Sequence, residues 1–292
     1  MKNPNGNITI SIVKPYDFAL SLSAIRSFQP AELEPEPRLR LAVKIAGIPT
    51  LIEVRQVKDS LRASSRPKSD SNQTRAIVEW VLFAELDLKP FYRLTAGNPK
   101  LAPLTRKLYG IKPFRPASLF EMAVIAITEQ QLSLASAYSI RNRVVQRFGE
   151  PIDGQWVFTE PQALAKASVE EFRSCGLSRP KAEYIRELAG KIVTGKLDLD
   201  SLKSMSDDQA RDTIMSWRGF GRWSADYILV RGLARPDCVP IDDLGIRDVV
   251  GKYLGDGSRI TSQEVAEKLE PFRPYRGLLA FYLLVYRRLN SP

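Results

Sequence analysis

Two stretches near the amino terminus alternate apolar and polar residues, as half-buried strands do. They cover residues 7–12 and 38–45, and after a turn at Gly47 the apolar residues 51–54 can pair back on the second stretch. Helical spacing of apolar residues predicts helices over 16–25 and 73–88, the latter entered from a polar stretch over 64–72. The pattern predicts an α+β unit built on an antiparallel sheet.

From about residue 100 the strand signals almost vanish and helix-start patterns follow one another. A proline-containing segment at 113–116 marks the junction between the two parts. We therefore predict an N-terminal α+β domain over residues 1–112 and a mostly α-helical domain over residues 113–292. The predicted helix starts pair Ser118 with Glu121, Thr159 with Gln162, Ser168 with Glu171, and Ser206 with Gln209.

The composition limits the kinds of catalytic and metal sites that the chain can form. The 292 residues are 44% hydrophobic, enough for a full core, and carry a net charge of +10, which suits a polyanionic partner or simply a soluble surface. The absence of histidine excludes Ser-His and Cys-His catalysis and His-containing zinc sites. Two cysteines are too few for a disulfide framework, and no apolar run is long enough for a signal segment or a membrane span. We expect an intracellular protein without membrane contact.

The most informative segment contains a glycine-bracketed turn between two predicted helices. Residues 207–217 and 222–233 have helical patterns, and Arg218, Gly219, Phe220 and Gly221 lie between them. Glycines permit unusual backbone dihedrals and close approach of another molecule. The free N–H groups at the start of the second helix then form a phosphate site. Taken alone, a plain helix-helix turn explains the pattern more often.

The residues that follow make the pattern specific. A proline-punctuated loop at 234–244 contains Val239, Pro240 and Ile241, followed by Asp242 and Asp243. This order resembles the helix-hairpin-helix, Gly/Pro-rich loop, aspartate (HhH-GPD) superfamily of DNA glycosylases. Residues 219–225, the paired aspartates and residues 128–133 are most similar to its 3-methyladenine DNA glycosylase II branch. The resemblance implies base-excision repair: removal of alkylated, and also deaminated, bases that are flipped out of duplex DNA.

The two adjacent aspartates, Asp242 and Asp243, are candidates for two different roles. Spacing alone favours a structural role for both, since each can complement a helix N-terminus. Adjacent residues point in different directions, so we expect one to cap the helix and one to face a cleft. The resemblance maps the catalytic residue of the family onto Asp243. A carboxylate there can stabilise an oxocarbenium-like sugar or activate water, and the sequence leaves both roles open.

Strand cleavage is not expected. Family members with lyase activity carry a lysine two residues after the second hairpin glycine, and this position is Trp223. The resemblance therefore implies a monofunctional glycosylase. Two alternatives remain at this stage: a non-catalytic helix-hairpin-helix DNA-binding protein and a bifunctional glycosylase/lyase.

Aromatic residues supply a candidate base pocket. Trp223 and Tyr227 are one helical turn apart and share a face, and Phe281, Tyr282 and Tyr286 near the C-terminus are the candidates for a further wall. Aromatic rings attract cationic alkylated bases, although these residues are also compatible with an ordinary core.

The resemblance also implies how DNA is held. Gln131, with Leu132 beside it, is the candidate wedge that fills the space of the flipped base, and Arg222 and Arg276 are candidate phosphate contacts. Backbone carbonyls of Met215, Trp217 and Phe220 would hold a monovalent cation, sodium or potassium, and no other cofactor is required. We expect a monomer that acts on damaged double-stranded DNA, in the nucleoid of a prokaryote or the nucleus of a eukaryote.

Overall fold

The N-terminal part of the computed structural model, which describes residues 8–26 and 37–290, is a four-stranded antiparallel sheet. Its strands lie in the order β1-β4-β3-β2, and β2 pairs with β3 through a tight turn at Ala46 and Gly47, both at positive φ. The predicted pairing is confirmed, and Asn7 lies outside the described residues. The strands are β1 (Ile8–Ile10), β2 (Arg38–Ile45), β3 (Ile48–Val57) and β4 (Ser60–Arg66).

The first part of the polar stretch predicted over residues 64–72 is a strand. Residues 64–66 of the expected polar stretch belong to β4, which pairs with both β1 and β3. Its sequence is polar because only Leu61 and Ala63 face the core, while the intervening side chains point to the other face. The polar segment between this strand and the next helix is therefore much shorter than predicted.

Two helices cover the apolar face of the sheet. They are α1 (Phe18–Arg26) and α2 (Ser71–Val81), and their side chains share a core with Ile52 and Val54. The carboxylate of Asp70 caps α2 by accepting bonds from two backbone N–H groups. The helix ends at Val81 rather than at residue 88, because Phe83 adopts a positive φ of 50° and turns the chain.

The rest of the chain is mostly helical, as predicted, and three of the four predicted starts are confirmed by capping bonds from Ser118, Ser168 and Ser206. The fourth is wrong, because the cap position of the corresponding helix is Glu160. A short two-stranded hairpin was not foreseen. The elements are α3 (Lys89–Ala96), α4 (Leu101–Lys107), α5 (Leu119–Glu129), α6 (Leu134–Phe148), β5 (Glu150–Ile152), β6 (Gln155–Val157), α7 (Pro161–Lys166), α8 (Val169–Ser174), α9 (Arg179–Val193), α10 (Asp207–Met215), α11 (Arg222–Arg231), α12 (Leu244–Leu254), α13 (Ser262–Leu269) and α14 (Arg276–Leu289).

The helices form two further cores. Side chains of α5 to α11 make one, and side chains of α3, α4 and α12 to α14 make the other. Since α3 and α4 precede residue 112 but pack with the C-terminal helices, the domain boundary at 112 stays a prediction. A cleft of about 1270 Å³ is lined by residues of both helical cores and of the edge strand β2. The cleft is the candidate site.

Within the described ranges, no helix is long and apolar enough to cross a bilayer.

Candidate active site and DNA-contacting surface

The glycine hairpin between α10 and α11 has two glycines with different requirements. Gly219 has a φ of +90°, and a Cβ atom built on it would lie 2.2 Å from the ring of Tyr184 on α9. Gly221 caps α11, and nothing lies within 4 Å of a Cβ built there. Gly219 is therefore required by the fold, whereas Gly221 leaves the N-terminal N–H groups of α11 open to an anion.

The residues beside the glycines anchor the turn. Arg218 forms ion pairs with Glu183 at 3.1 Å and Glu187 at 3.4 Å, and its guanidinium lies 5.2 Å from the ring centre of Tyr184. Phe220 is buried edge-on against Trp217, so it can offer DNA only its backbone. The turn is thus fixed to α9 and to the core.

Asp243 lies at the N-terminus of α12 and lines the cleft. Its Oδ1 accepts a hydrogen bond from the backbone N–H of Ile246 at 3.0 Å, and its Oδ2 accepts one from the indole N–H of Trp223 at 3.2 Å. The prediction that one aspartate caps the helix and the other faces the cleft is wrong, because Asp243 does both. Asp242 is exposed and accepts a hydrogen bond from the hydroxyl of Ser262 at 2.7 Å.

Trp223 and Tyr227 lie together on the cleft-facing side of α11. Their rings stack with centroids 4.9 Å apart and planes inclined by 24°. The hydroxyl of Tyr227 donates to Glu129 at 2.6 Å and accepts a hydrogen bond from Arg231. Burial raises the pKa of Tyr227, which keeps this hydroxyl protonated and able to donate. A line of contacts therefore runs from Asp243 through the two rings to Glu129.

Tyr282 is not part of the cleft wall. It is fully buried, donates a hydrogen bond to the carbonyl of Ile111 at 2.8 Å and contacts the hydroxyl of Tyr92 at 2.8 Å. The same helix, α14, presents Phe281 and Leu284 to the cleft instead. Of the candidate wall residues on α14, Phe281 therefore lines the cleft, whereas Tyr282 belongs to the core.

The candidate wedge lies at the tip of the connection between α5 and α6. Gln131 is exposed and has a φ of 55°, and Leu132 is 40% exposed. Neighbouring Gln130 was overlooked by the sequence analysis, although its side-chain amide bonds to the Gly219 carbonyl and the Ser224 hydroxyl, both at 2.8 Å. The wedge segment and the hairpin are therefore directly connected.

The two candidate phosphate arginines differ. Arg222 bonds to Asp226 at 2.8 Å, but its side chain is 55% exposed at the start of α11. Arg276 differs from the predicted phosphate contact. Its guanidinium bonds to both carboxylate oxygens of Asp237, at 2.9 and 2.8 Å, and to Glu270 at 2.8 Å. Arg276 is therefore neutralised inside the protein and ties α14 to the loop that follows α11.

The expected cation ligands lie at the end of α10 and in the turn. The carbonyl of Trp217 accepts the N–H of Phe220 at 3.1 Å, and Met215 is the last residue of α10. The last carbonyls of a helix lack intrahelical partners, and a carbonyl has two lone pairs, so the bound cation stays a prediction that rests on backbone oxygens of this segment. Among the described residues no cluster of three or more Cys, Asp or Glu side chains forms an alternative metal site.

Comparison with known proteins places this geometry in a family. Residues 124–274, more than half of the chain, match the HhH-GPD superfamily of base excision DNA repair proteins. The chain is 30% identical to the DNA-3-methyladenine glycosylase of Bacillus subtilis over 68% of its own length and 66% of that protein's. It is 31% identical to DNA-3-methyladenine glycosylase 2 of Escherichia coli over 56% of its own length and 57% of that protein's. The chain thus spans about half to two thirds of these two relatives.

A solved structure covers nearly the entire chain. The 3-methyladenine DNA-glycosylase of Archaeoglobus fulgidus matches 98% of this chain and 99% of its own, with a TM-score of 0.82 and 26% identity. The family match covers the hairpin, the wedge segment and Asp243. The chain belongs to the HhH-GPD superfamily of base excision DNA repair proteins.

Proposed function

We propose that this protein is a monofunctional DNA glycosylase that hydrolyses the N-glycosidic bond of alkylated bases flipped out of duplex DNA. The observation that carries the proposal is the carboxylate of Asp243, which two N–H donors hold at the edge of an aromatic cleft beside the phosphate-binding hairpin. The similarity to proteins named 3-methyladenine glycosylases supports alkylated purines as the substrate class.

The chemistry follows from the placement of charge. The flipped base would lie against Trp223, and its sugar would lie near Asp243. As the C1′–N bond lengthens, the sugar becomes oxocarbenium-like and the fixed anion stabilises its positive charge. Water then bonds to C1′, and its proton passes to the Asp243 carboxylate or to bulk water. An alkylated purine already carries positive charge and departs as a neutral base, so no strong general acid is needed.

Two observations argue against strand cleavage. No lysine is among the described residues that line the cleft. Lys181, the lysine that contacts the wedge segment, donates to the carbonyls of Thr128 and Gln130, so its ammonium is engaged in hydrogen bonds within the protein. A Schiff base requires a free amine at the reacting sugar, so hydrolysis without lyase activity is the function these residues support.

Damaged double-stranded DNA is the proposed partner, bound by a monomer wherever chromosomal DNA lies. The open N-terminus of α11, exposed Arg222 and the net charge of +10 support phosphate binding, and one chain carries hairpin, wedge and cleft. Binding to undamaged duplex should weaken steeply with salt because phosphate contacts release counterions.

We also propose a structural sodium or potassium ion on the carbonyls of Met215, Trp217 and Phe220, which would strengthen the contact between the hairpin and the phosphate.

The test is release of base from duplexes that each carry one lesion: 3-methyladenine, 7-methylguanine, hypoxanthine or 1-methyladenine. The proposal expects released alkylated base, DNA strands that stay intact until alkali is added, and no adduct trapped by borohydride. A trapped adduct would support the lyase alternative. Tight binding with no base released from any duplex would support a non-catalytic DNA-binding protein.

A further inference from the structure

The wedge segment holds an unusual backbone conformation. Four residues, 130–133, connect α5 to α6, and within them Gln131 has a φ of 55° while its side chain is exposed. A non-glycine residue in the left-handed region costs free energy and persists only where the surroundings impose it. The surroundings of Gln131 therefore have to explain why the chain turns here.

Lys181 supplies one restraint. It lies in the first turn of α9, and its ammonium donates to the carbonyl of Thr128 at 3.0 Å and to that of Gln130 at 2.6 Å. Burial lowers the pKa of Lys181, so this contact is made at a cost in solvation. Both accepting carbonyls lie at the C-terminal end of α5, where a cation is favourable. The bond to Gln130 fixes the residue immediately before the wedge.

Gln130 supplies the second restraint, in the opposite direction. Its side-chain amide donates to the Gly219 carbonyl inside the hairpin and to the Ser224 hydroxyl in the first turn of α11. The wedge and the phosphate-binding turn are distant in sequence, yet a single side chain connects them. Gly219 lies so close to the ring of Tyr184 that a Cβ built on it would come within 2.2 Å, and neighbouring Arg218 is ion-paired to α9, so the connection ends on a restrained turn.

We propose that Lys181 and Gln130 are positioning residues that preset the wedge at Gln131 and Leu132 relative to the phosphate-binding hairpin. When the hairpin binds a phosphate, the wedge is already at a fixed height above the duplex and enters the base stack without first ordering its own loop. This inference rests on the proposed function, because a wedge is needed only by a protein that flips bases.

The experiment compares the same alkylated base in two duplexes, one where it is paired and one where it lies in a bulge without an opposite base. Flipping costs least when the base is already unpaired. Lys181→Met and Gln130→Met keep side-chain length and remove the donors. Each should lower single-turnover release from the paired site about tenfold more than release from the bulge, as a loss of about 1.4 kcal/mol in positioning implies.

Lys196→Met is the matched control, since Lys196 follows the C-terminal end of α9 and its side chain is exposed. It should leave both rates unchanged. Equal losses on the two duplexes, or no loss in variants that melt like the wild type, would overturn the inference. Fluorescence of 2-aminopurine next to the lesion reports flipping without excision. If the wild type releases no base from either duplex, the proposed function fails, and this signal still shows whether the variants impair flipping.

Discussion

At the scale of single residues, the candidate site depends on how Asp243 is held. Each of its oxygens accepts one N–H, from Ile246 and from Trp223. Two donors, one to each oxygen, fix the direction of the carboxylate. Trp223 therefore has two tasks, to offer a ring to the flipped base and to orient the proposed catalytic carboxylate.

Trp223→Phe separates these tasks, because phenylalanine keeps an aromatic ring beside Tyr227 but has no N–H. Single-turnover excision should fall about tenfold, the effect of losing one well-placed hydrogen bond to a charge. Binding to duplex DNA should be unchanged.

Tyr227→Phe is the control, because it removes the bond to Glu129 and leaves the Trp223–Asp243 bond in place. Its single-turnover excision should stay close to that of the wild type. Wild-type excision by Trp223→Phe would show that the indole N–H does not orient Asp243.

Individual residues show why sequence reasoning reaches only part of the site. Asp243, Trp223 and Gln131 are proposed from local motifs, and the structure places all three in the lining of the cleft. The contacts made by Gln130, Lys181 and Tyr184 join segments that are far apart in the chain, so no local pattern reveals them. Arg276 was misjudged for the same reason, because its partner Asp237 lies 39 residues away.

At the scale of elements, the hairpin depends on one glycine for its fold and on the other for its open surface. Gly219→Ala places a Cβ at positive φ and against the Tyr184 ring. It should lower the free energy of unfolding by about 2 kcal/mol or more. Gly221→Ala meets open space and should cost less than about 1 kcal/mol. Denaturant unfolding of both variants measures the difference, and equal stabilities would refute the role given to Tyr184.

The elements themselves were predicted unevenly, for physical reasons. Long helices with capping serines, such as those after Ser118 and Ser206, carry strong local signals. Strand β4 was missed because only one of its faces is apolar and its residues are mostly serine and arginine. Strands β5 and β6 are three residues each, too short to display alternation. Their pairing depends on tertiary contacts.

At the scale of the whole molecule, a buried lysine lies near the contact between the sheet domain and the helices. The ammonium of Lys112 donates to the carbonyls of Phe83 and Ala84, and its backbone N–H bonds to Ser21. Burial lowers the pKa of Lys112 to about 8. Between pH 8 and the ordinary lysine pKa the unfolded chain binds more protons at this residue, so its contribution to stability rises with pH.

Comparison of the wild type with Lys112→Met isolates this contribution. From pH 8 to pH 10 the free energy of unfolding of the wild type should rise relative to that of the variant. Burial raises the pKa of Cys238 to about 12, which lowers stability above pH 9, but it does so equally in both proteins. A difference between the two proteins that is constant over this pH range would contradict the assignment.

The most direct test of the account is single-turnover release of an alkylated base by Asp243→Asn and Asp242→Asn. Asparagine keeps size and capping ability but removes charge, so both variants should melt close to the wild type. Asp243→Asn should lose about a hundredfold or more in excision, as expected when a preorganised transition-state contact is removed, and should keep its affinity for DNA. Asp242→Asn should retain substantial excision. Normal excision by Asp243→Asn would contradict the central claim.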